Sequence, residues 1–316
     1  MTLRLADDWL WDFWTVTVDR DVHVFFLKAP RALGDPDLRH WNVTIGHAVS
    51  SDLTNWEILP DALSPGAPGT FDDRSTWTGS IIEHDGRWNM LYTGTSSAEN
   101  GLVQRVGLAT SDDLITWTRH PTPVFEADPS WYELLDLSVW HDQAWRDPWL
   151  FTVPGDDAVH AYVTARAKDG DPRGRGVIGH ARSQDMVRWE VLPPVTEPMG
   201  FGQLEVPQLI ELGGRFHLLF SSDPTTRSDG LGLHGAGTYC LSGPTPLGPF
   251  EASTLHELDA GAHHVTYAGR IVPHADALWF LAWVGNEDGR TFRGELAQPR
   301  PIAVDDAGVL QVVAHR

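Results

Sequence analysis

One segment recurs along this chain, and a recurring segment at such spacing restricts the fold more than any other feature. Gly46-His47-Ala48-Val49-Ser50-Ser51-Asp52-Leu53-Thr54-Asn55-Trp56 returns as Gly107-Leu108-Ala109-Thr110-Ser111-Asp112-Asp113-Leu114-Ile115-Thr116-Trp117. It returns again as Gly179-His180-Ala181-Arg182-Ser183-Gln184-Asp185-Met186-Val187-Arg188-Trp189, and a weaker fourth copy runs from Gly237 through Ser242 to Phe250. Copies roughly 60–70 residues apart leave room for about four short strands each, the content of a propeller blade.

The residues between the copies agree. Val22–Leu27, Trp88–Tyr92, Val159–Val163, Phe216–Phe220 and Leu278–Trp283 are rich in β-branched and aromatic residues or alternate apolar with polar. The last of these supplies a fifth unit. Asp85-Gly86, Gly155-Asp156, Gly213-Gly214 and Asp276 precede four of them with hairpin chemistry. No segment keeps a helical period over three turns, and 22 prolines and 30 glycines punctuate the chain. The expectation is an all-β, five-bladed β-propeller occupying residues 1–316 as a single domain, with blades at about 8–60, 70–120, 138–195, 202–255 and 262–300. The tail Val309–Val313 is long enough for one closing strand. Its expected companion is Thr2-Leu3-Arg4-Leu5, because pairing the two ends would remove the exposed edges of the ring.

Charge narrows the partners. A formal charge of −20, from 23 basic and 43 acidic side chains, repels phosphate backbones and acidic membranes, so neither nucleic acid nor a membrane is expected. No apolar run approaches the roughly 20 residues of a membrane span. The N-terminus turns acidic at Asp7-Asp8 before the apolar core of a signal peptide forms, and Cys240, the single cysteine, has no partner for an intramolecular disulfide. Both features predict a cytoplasmic setting. Tyr239-Cys240-Leu241 reads as the interior of a strand, with Cys240 a small buried hydrophobe.

In the repeated Ser-x-Asp-Leu-x-x-Trp element, Asp52, Asp113 and Asp185 are placed to bond local backbone N–H groups, and Trp56, Trp117 and Trp189 to pack outer strands. Recurrence in blade after blade argues for structure, since chemistry happens once. Three carboxylates stand outside the repeat near the starts of different units: Asp12 among Trp9, Trp11, Phe13 and Trp14; Asp147 in Trp145-Arg146-Asp147-Pro148; and Glu205 in Leu204-Glu205-Val206-Pro207. The innermost strand of each blade lines the central channel, so equivalent positions far apart in sequence converge on one funnel. Glycosidic bond cleavage needs a proton donor and a second carboxylate beside an oxocarbenium-like transition state, and a third can bind ring hydroxyls. The donor requires apolar surroundings or a like charge to stay protonated. Glu205, flanked by Leu204, Val206 and Pro207, has the most apolar local sequence.

Trp11-Asp12-Phe13-Trp14 resembles the Trp-Asp-Ser-Trp nucleophile motif of glycoside hydrolase family 68 and, more loosely, the Asn-Asp-Pro motif of family 32. Trp77-Thr78-Gly79-Ser80 is similar to the Trp-Ser-Gly-Ser motif of both families, Arg146-Asp147-Pro148 matches their Arg-Asp-Pro triplet, and Glu205-Val206-Pro207 resembles the Glu-Cys-Pro acid motif of family 32. Tyr267-Ala268 is faintly similar to a Tyr-Ala pair there. The ordered set spans residues 9 to 268. It implies a retaining enzyme of the family 32/68 group acting on β-fructofuranosides such as sucrose and fructo-oligosaccharides, with transfer to a sugar as a second outcome. By position Asp12 would be the nucleophile, Glu205 the general acid and base, and Asp147 the stabiliser of the transition state. Arg146, Trp77 and Ser80 would bind the sugar. Trp11 and Trp14 are read as walls of the sugar site, with ordinary core packing as the competing reading. Family 32 enzymes usually add a C-terminal β-sandwich, and no such module is expected in this chain.

Phe13 stands where family 68 has a small residue, and the Asn-Gly context of family 32 is missing around Asp12. The alternatives are an inverting arabinofuranosidase or xylosidase similar to family 43, with Asp12 as general base, and a non-catalytic sugar-binding propeller. Family 43 often places a fifth-blade histidine in the channel, so His264 is a further candidate for the sugar site. His40, His141 and His234 fall in loops where they could meet substrate. The 15 histidines form no spacing that suits a metal, and no metal or other cofactor is expected, only a small carbohydrate partner.

Overall fold

The computed structural model describes residues 3–228, 231, 233, 235–261, 266–286, 292–305 and 308–313. Their strands form five antiparallel sheets in chain order. The first holds β1 (Asp8–Val18), β2 (Asp21–Pro30), β3 (Thr44–Ser50) and β4 (Glu57–Leu63), and the second β5 (Ser75–His84), β6 (Arg87–Thr95), β7 (Gln104–Ser111) and β8 (Thr118–Arg119). The third holds β9 (Trp145–Thr152), β10 (Val159–Arg166), β11 (Gly176–Ser183) and β12 (Trp189–Leu192). The fourth holds β13 (Glu205–Leu212), β14 (Arg215–Ser222), β15 (Ala236–Gly243) and β16 (His256–Gly261). The fifth holds β17 (Thr266–His274), β18 (Ala277–Asn286), β19 (Phe292–Leu296), β20 (Arg300–Val304) and β21 (Leu310–Val312). The first strands β1, β5, β9, β13 and β17 contact one another in turn, and β17 returns to β1. That cyclic contact makes the molecule a five-bladed β-propeller, as the repeat predicted.

Blades pack face to face, so a second strand is covered on both sides. This is why β2, β6, β10, β14 and β18 contain the five apolar runs read from the sequence, and why β10 is buried along its whole length. The hairpins before β6 and β14 use Asp85-Gly86, at φ 53° and 71°, and Gly213-Gly214, at 62° and 72°, the paired positive φ of a type I′ turn. Cys240 is fully buried in the core of the fourth and fifth blades, and burial pushes its thiol up to about 12.

The repeated turn holds one feature that composition did not expose. Asp52 Oδ1 accepts from the Thr54 and Asn55 N–H groups at 2.8 and 2.7 Å, and Asp113 and Asp185 do the same two and three residues on. Trp117 and Trp189 pack edge-on against Phe25 and tilted on Phe125. Between them Leu53, Leu114 and Met186 adopt φ of 61°, 63° and 62°. A left-handed residue with a Cβ costs about 1–2 kcal/mol. Burying a Leu or Met side chain returns about 1.5–3 kcal/mol, and all three are buried.

Closure of the ring differs from the expected pairing of the two ends. The tail strand β21 pairs with β20 inside the fifth blade, while Leu3 accepts a hydrogen bond from the Leu296 N–H at 3.0 Å at the end of β19. The tail's apolar Leu310 is buried in the core shared by blades four and five, which fixes it there.

Candidate active site

Each innermost strand carries one extra residue at the same height. In β1, Trp11 pairs with Leu27 and Phe13 with Phe26, so Asp12 is unpaired. In β5, Trp77 pairs with Thr93 and Gly79 with Tyr92, leaving Thr78 out. The same shift follows Arg146 in β9, Glu205 in β13 and Tyr267 in β17. Asp147, Val206 and Ala268 sit in these bulges at φ of 58°, 52° and 51°. A bulge breaks the alternation of the strand, so two consecutive side chains can address one side. Pro148 and Pro207 lose no ladder bond there, having no N–H to give. Gly79 is needed because a Cβ would lie 2.2 Å from the Leu91 carbonyl oxygen.

The outcome is a funnel-shaped cavity of about 510 Å³. Trp11, Asp12, Trp77, Thr78, Arg146, Asp147, Glu205, Val206 and Tyr267 all line it, contributed by five different blades. Asp12 accepts from the Trp283 indole N–H at 2.8 Å on one oxygen and from the Thr78 hydroxyl at 3.0 Å on the other. Burial above all, and then the charge of Asp147, raise its pKa; the two donors and Arg39 oppose that rise. Asp147 Oδ2 accepts from the Thr164 hydroxyl at 2.9 Å and the Val206 N–H at 3.1 Å. Burial likewise raises its pKa, against the pull of the Arg146 guanidinium, whose Nε lies 3.5 Å away.

Glu205 differs from expectation. Its carboxylate does not lie among apolar side chains, because Leu204 and Val206 are buried in separate core clusters on either side. Instead Arg146 Nη2 donates to Oε1 at 2.6 Å and the Tyr267 hydroxyl donates to Oε2. Burial and the adjacent Glu205 push the Tyr267 phenol well above its ordinary range, so it remains a donor. Arg146 is steadied from behind: its Nη1 donates to Gln104 Oε1 at 3.1 Å and lies 3.5 Å from Asp142, which also accepts from Gln104 Nε2 at 2.7 Å. Three carboxylates around one guanidinium outweigh its burial and keep it charged. Three acids, a shared arginine and aromatic walls in one funnel are the equipment of a glycosidase.

The sequence profile described as the glycosyl hydrolases family 32 N-terminal domain matches residues 14–313. The chain belongs to glycosyl hydrolase family 32. It is 28% identical over 285 residues to an extracellular sucrase of Zymomonas mobilis, covering 73% of this chain and 67% of that protein. It is 28% identical to a sucrose-6-phosphate hydrolase of the same organism and 30% identical to a fructan 6-exohydrolase of Triticum aestivum. Each match covers 90% of this chain, which spans about half the length of those two relatives, 56% and 51%. In fold it is similar to the inulosucrase of Halalkalicoccus jeotgali bound to kestose, with a TM-score of 0.79 at 22% identity over 99% of this chain and 91% of that one. The β-fructofuranosidase catalytic domain of Microbacterium saccharophilum K-1 gives a TM-score of 0.78 at 17% identity over 99% and 82%. A fructofuranosidase-like family 32 propeller is thus the setting of this site, and the family 43-like alternative gives way to it.

Of the sugar-binding residues expected in this family 32 chain, Trp77 and Arg146 line the cavity, Trp11 borders it although it is 1% exposed and packed in the core of the first blade, and three others require comment. Trp14 is fully buried and stacks on Phe25 at 6.2 Å, because it lies past the bulge where regular pairing has resumed and its ring faces the blade core. It is not a wall of the site. Ser80 is also absent from the lining; its hydroxyl accepts the Leu150 N–H at 2.9 Å and ties the second blade to the third. His264 and His234 lie outside the described residues. Sequence reasoning passed over Thr78 and Trp283, which hold Asp12, and Gln104 and Asp142, which hold Arg146. Aligning the five bulges would have found Thr78; nothing in the sequence marks Trp283. His40 and His141 do line the cavity. Burial, helped by Arg39 and Arg146, pushes His40 down to about 3, so it is neutral at physiological pH.

Proposed function

We propose that this chain hydrolyses β-fructofuranosides of the sucrose and short fructo-oligosaccharide type with retention of configuration. The observation that carries the reading is the meeting of Asp12, Asp147 and Glu205, from three separate blades, in one cavity. In the first step an Asp12 oxygen attacks the anomeric carbon of the fructosyl unit while Glu205 gives its proton to the departing glycosidic oxygen. The bond to the leaving sugar breaks as the fructosyl–Asp12 ester forms. In the second, Glu205 takes a proton from water, whose oxygen attacks the same carbon and frees Asp12. Asp147, fixed by Thr164 and the Val206 N–H, faces the sugar hydroxyls and the positive charge that develops between the steps.

Relatives that carry the names sucrase, sucrose-6-phosphate hydrolase and fructan 6-exohydrolase support the fructosyl part of the reading. A cavity of about 510 Å³ suits a di- or trisaccharide and supports short substrates over polymers. A sugar hydroxyl in place of water in the second step would give transfer. The test is a panel of sucrose, inulin, levan, difructose dianhydrides and aryl arabinofuranosides, with the first-formed product anomer followed by NMR. Fructose released with β configuration, and no release by Asp12→Asn or Glu205→Gln, is the expected result. A trisaccharide product would report transfer. Turnover of no fructoside, with sugar binding intact in both variants, would favour a non-catalytic sugar-binding propeller.

A further inference from the structure

Arg270 is a buried cation behind the funnel that the mechanism above leaves unused. It lies on β17 where register resumes after the fifth bulge, is 1% exposed, and does not line the cavity. Its Nε donates to the Phe13 carbonyl at 3.3 Å, one residue after Asp12, and its Nη1 donates to the Pro207 carbonyl, two residues after Glu205. One rigid guanidinium from blade five therefore links the bulges of blades one and four. Among the described residues Nη2 has no hydrogen-bond partner. The plane sits 5.0 Å from the ring centre of Trp149, on the third blade. A buried arginine with an unused donor is costly, and two backbone carbonyls carry no charge to compensate it. The negative charge that does so comes from Asp147 and then Asp12, which act against burial and leave the group at about 10, charged at neutral pH.

We propose that Arg270 is a positioning residue that fixes the Asp12 and Glu205 bulges relative to each other and sets a permanent positive charge behind Asp12 and Asp147. This rests on the fructosidase reading above. The other groups facing Asp12 are Asp147 and Arg146 on β9, Glu205 on β13, Tyr267 on β17, Arg39 and neutral His40 from the turn Pro36–Trp41, and the donors Thr78 and Trp283. Asp12 takes both its hydrogen bonds from neutral groups and Arg146 is engaged with Glu205, which leaves Arg39, whose charge lowers the Asp12 pKa, and Arg270, bonded to the carbonyl of the next residue, as the cations beside it.

The test compares Arg270→Gln, Arg270→Lys and Ile271→Ala, the last a core substitution on the next residue of β17. Two quantities are read: sucrose kinetics, and the Asp12 carboxyl titration by 13C NMR of protein labelled at the aspartate side-chain carbon, with Asp12→Asn assigning the resonance. Arg270→Gln is expected to lower kcat about 100-fold, the effect of misplacing a reacting group by about 1 Å, with KM within about threefold, and to move the Asp12 midpoint to higher pH. Arg270→Lys keeps the charge and should titrate like the wild type with most of kcat restored. Ile271→Ala should lower Tm and leave kcat and the titration unchanged. An unmoved midpoint in Arg270→Gln, or a kcat loss matched by Ile271→Ala, overturns the proposal. Should Arg270→Gln not fold, Arg270→Lys decides alone, since a shifted midpoint there contradicts a role for charge. If the wild type leaves sucrose intact, the fructosidase reading fails for that sugar while the titration still judges Arg270.

Discussion

Asp12→Asn should abolish turnover and make the protein more stable. The carboxylate is buried, and burial together with the Asp147 charge raises its pKa against the stabilising Trp283 and Thr78 donors. An asparagine can keep both contacts: its oxygen accepts the Trp283 N–H, and its amide donates to the Thr78 oxygen, which accepts as readily as it donates. What the substitution removes is the ionised form. A group whose folded pKa lies above its unfolded one favours folding below the unfolded value, and that contribution is lost as pH rises through the folded value. At pH 7 the wild type carries that loss, and relieving such a site is worth about 0.5–2 kcal/mol. An unfolding entropy of about 2.1 cal/mol/K per residue, taken over 316 residues, converts this to a Tm gain of roughly 1–3 °C. Calorimetry of both proteins at pH 7 and pH 4 checks it, because the raised pKa brings protonation of Asp12 on as pH falls and the difference should shrink. An Asp12→Asn variant with a Tm equal to or below that of the wild type at pH 7, or a gain that does not shrink at pH 4, would refute the claim that the site holds Asp12 ionised at a cost to stability.

Three further outcomes are expected. His47 and His180, each bonded to a second histidine at 2.9 Å, are pushed by burial down to about 3. Folded chains then bind fewer protons than unfolded ones between about pH 3 and 6.5, so stability falls as pH drops through that window by up to a few kcal/mol per site; urea unfolding from pH 7.5 to 4 should show it, with a flatter dependence in His180→Gln. Trp283→Phe removes a charge-assisted bond to Asp12 worth about 1.5–3 kcal/mol and should lower kcat about 10–100-fold in steady-state assays while KM changes little. Trp77→Phe should raise KM for the sugar, whereas Trp14→Phe should lower Tm and leave KM unchanged, a contrast that separates the cavity wall from the blade core.

The repeat made the blade count and the second strands legible because a period of this kind survives any local ambiguity. The three acids were legible for the opposite reason, standing outside the period. Trp14 and Ser80 were misplaced because a motif shows which residues travel together, not which face each one presents once a bulge has shifted the strand. Trp283 was invisible, being a strand aromatic like its neighbours until the fifth blade curls against the first. Glu205 shows the limit of local sequence most directly: its flanking apolar residues turn into the core, and its carboxylate meets an arginine and a tyrosine from other blades.

The five bulges carry a genetic consequence. Most proteins accept the gain or loss of a residue in surface loops and refuse it in strands for reasons of folding. Here the removal of a single codon at Asp12 or Thr78 would restore an uninterrupted ladder, and with it the strict two-residue alternation of a strand. The blade would keep its strands and its packing partners, because the residues on either side already pair in register, while the funnel would lose the one side chain that the bulge presents to it. In-frame deletions in the innermost strands are therefore the lesions expected to yield folded, silent propellers, and length in those strands is under tighter constraint than the identity of many residues within them.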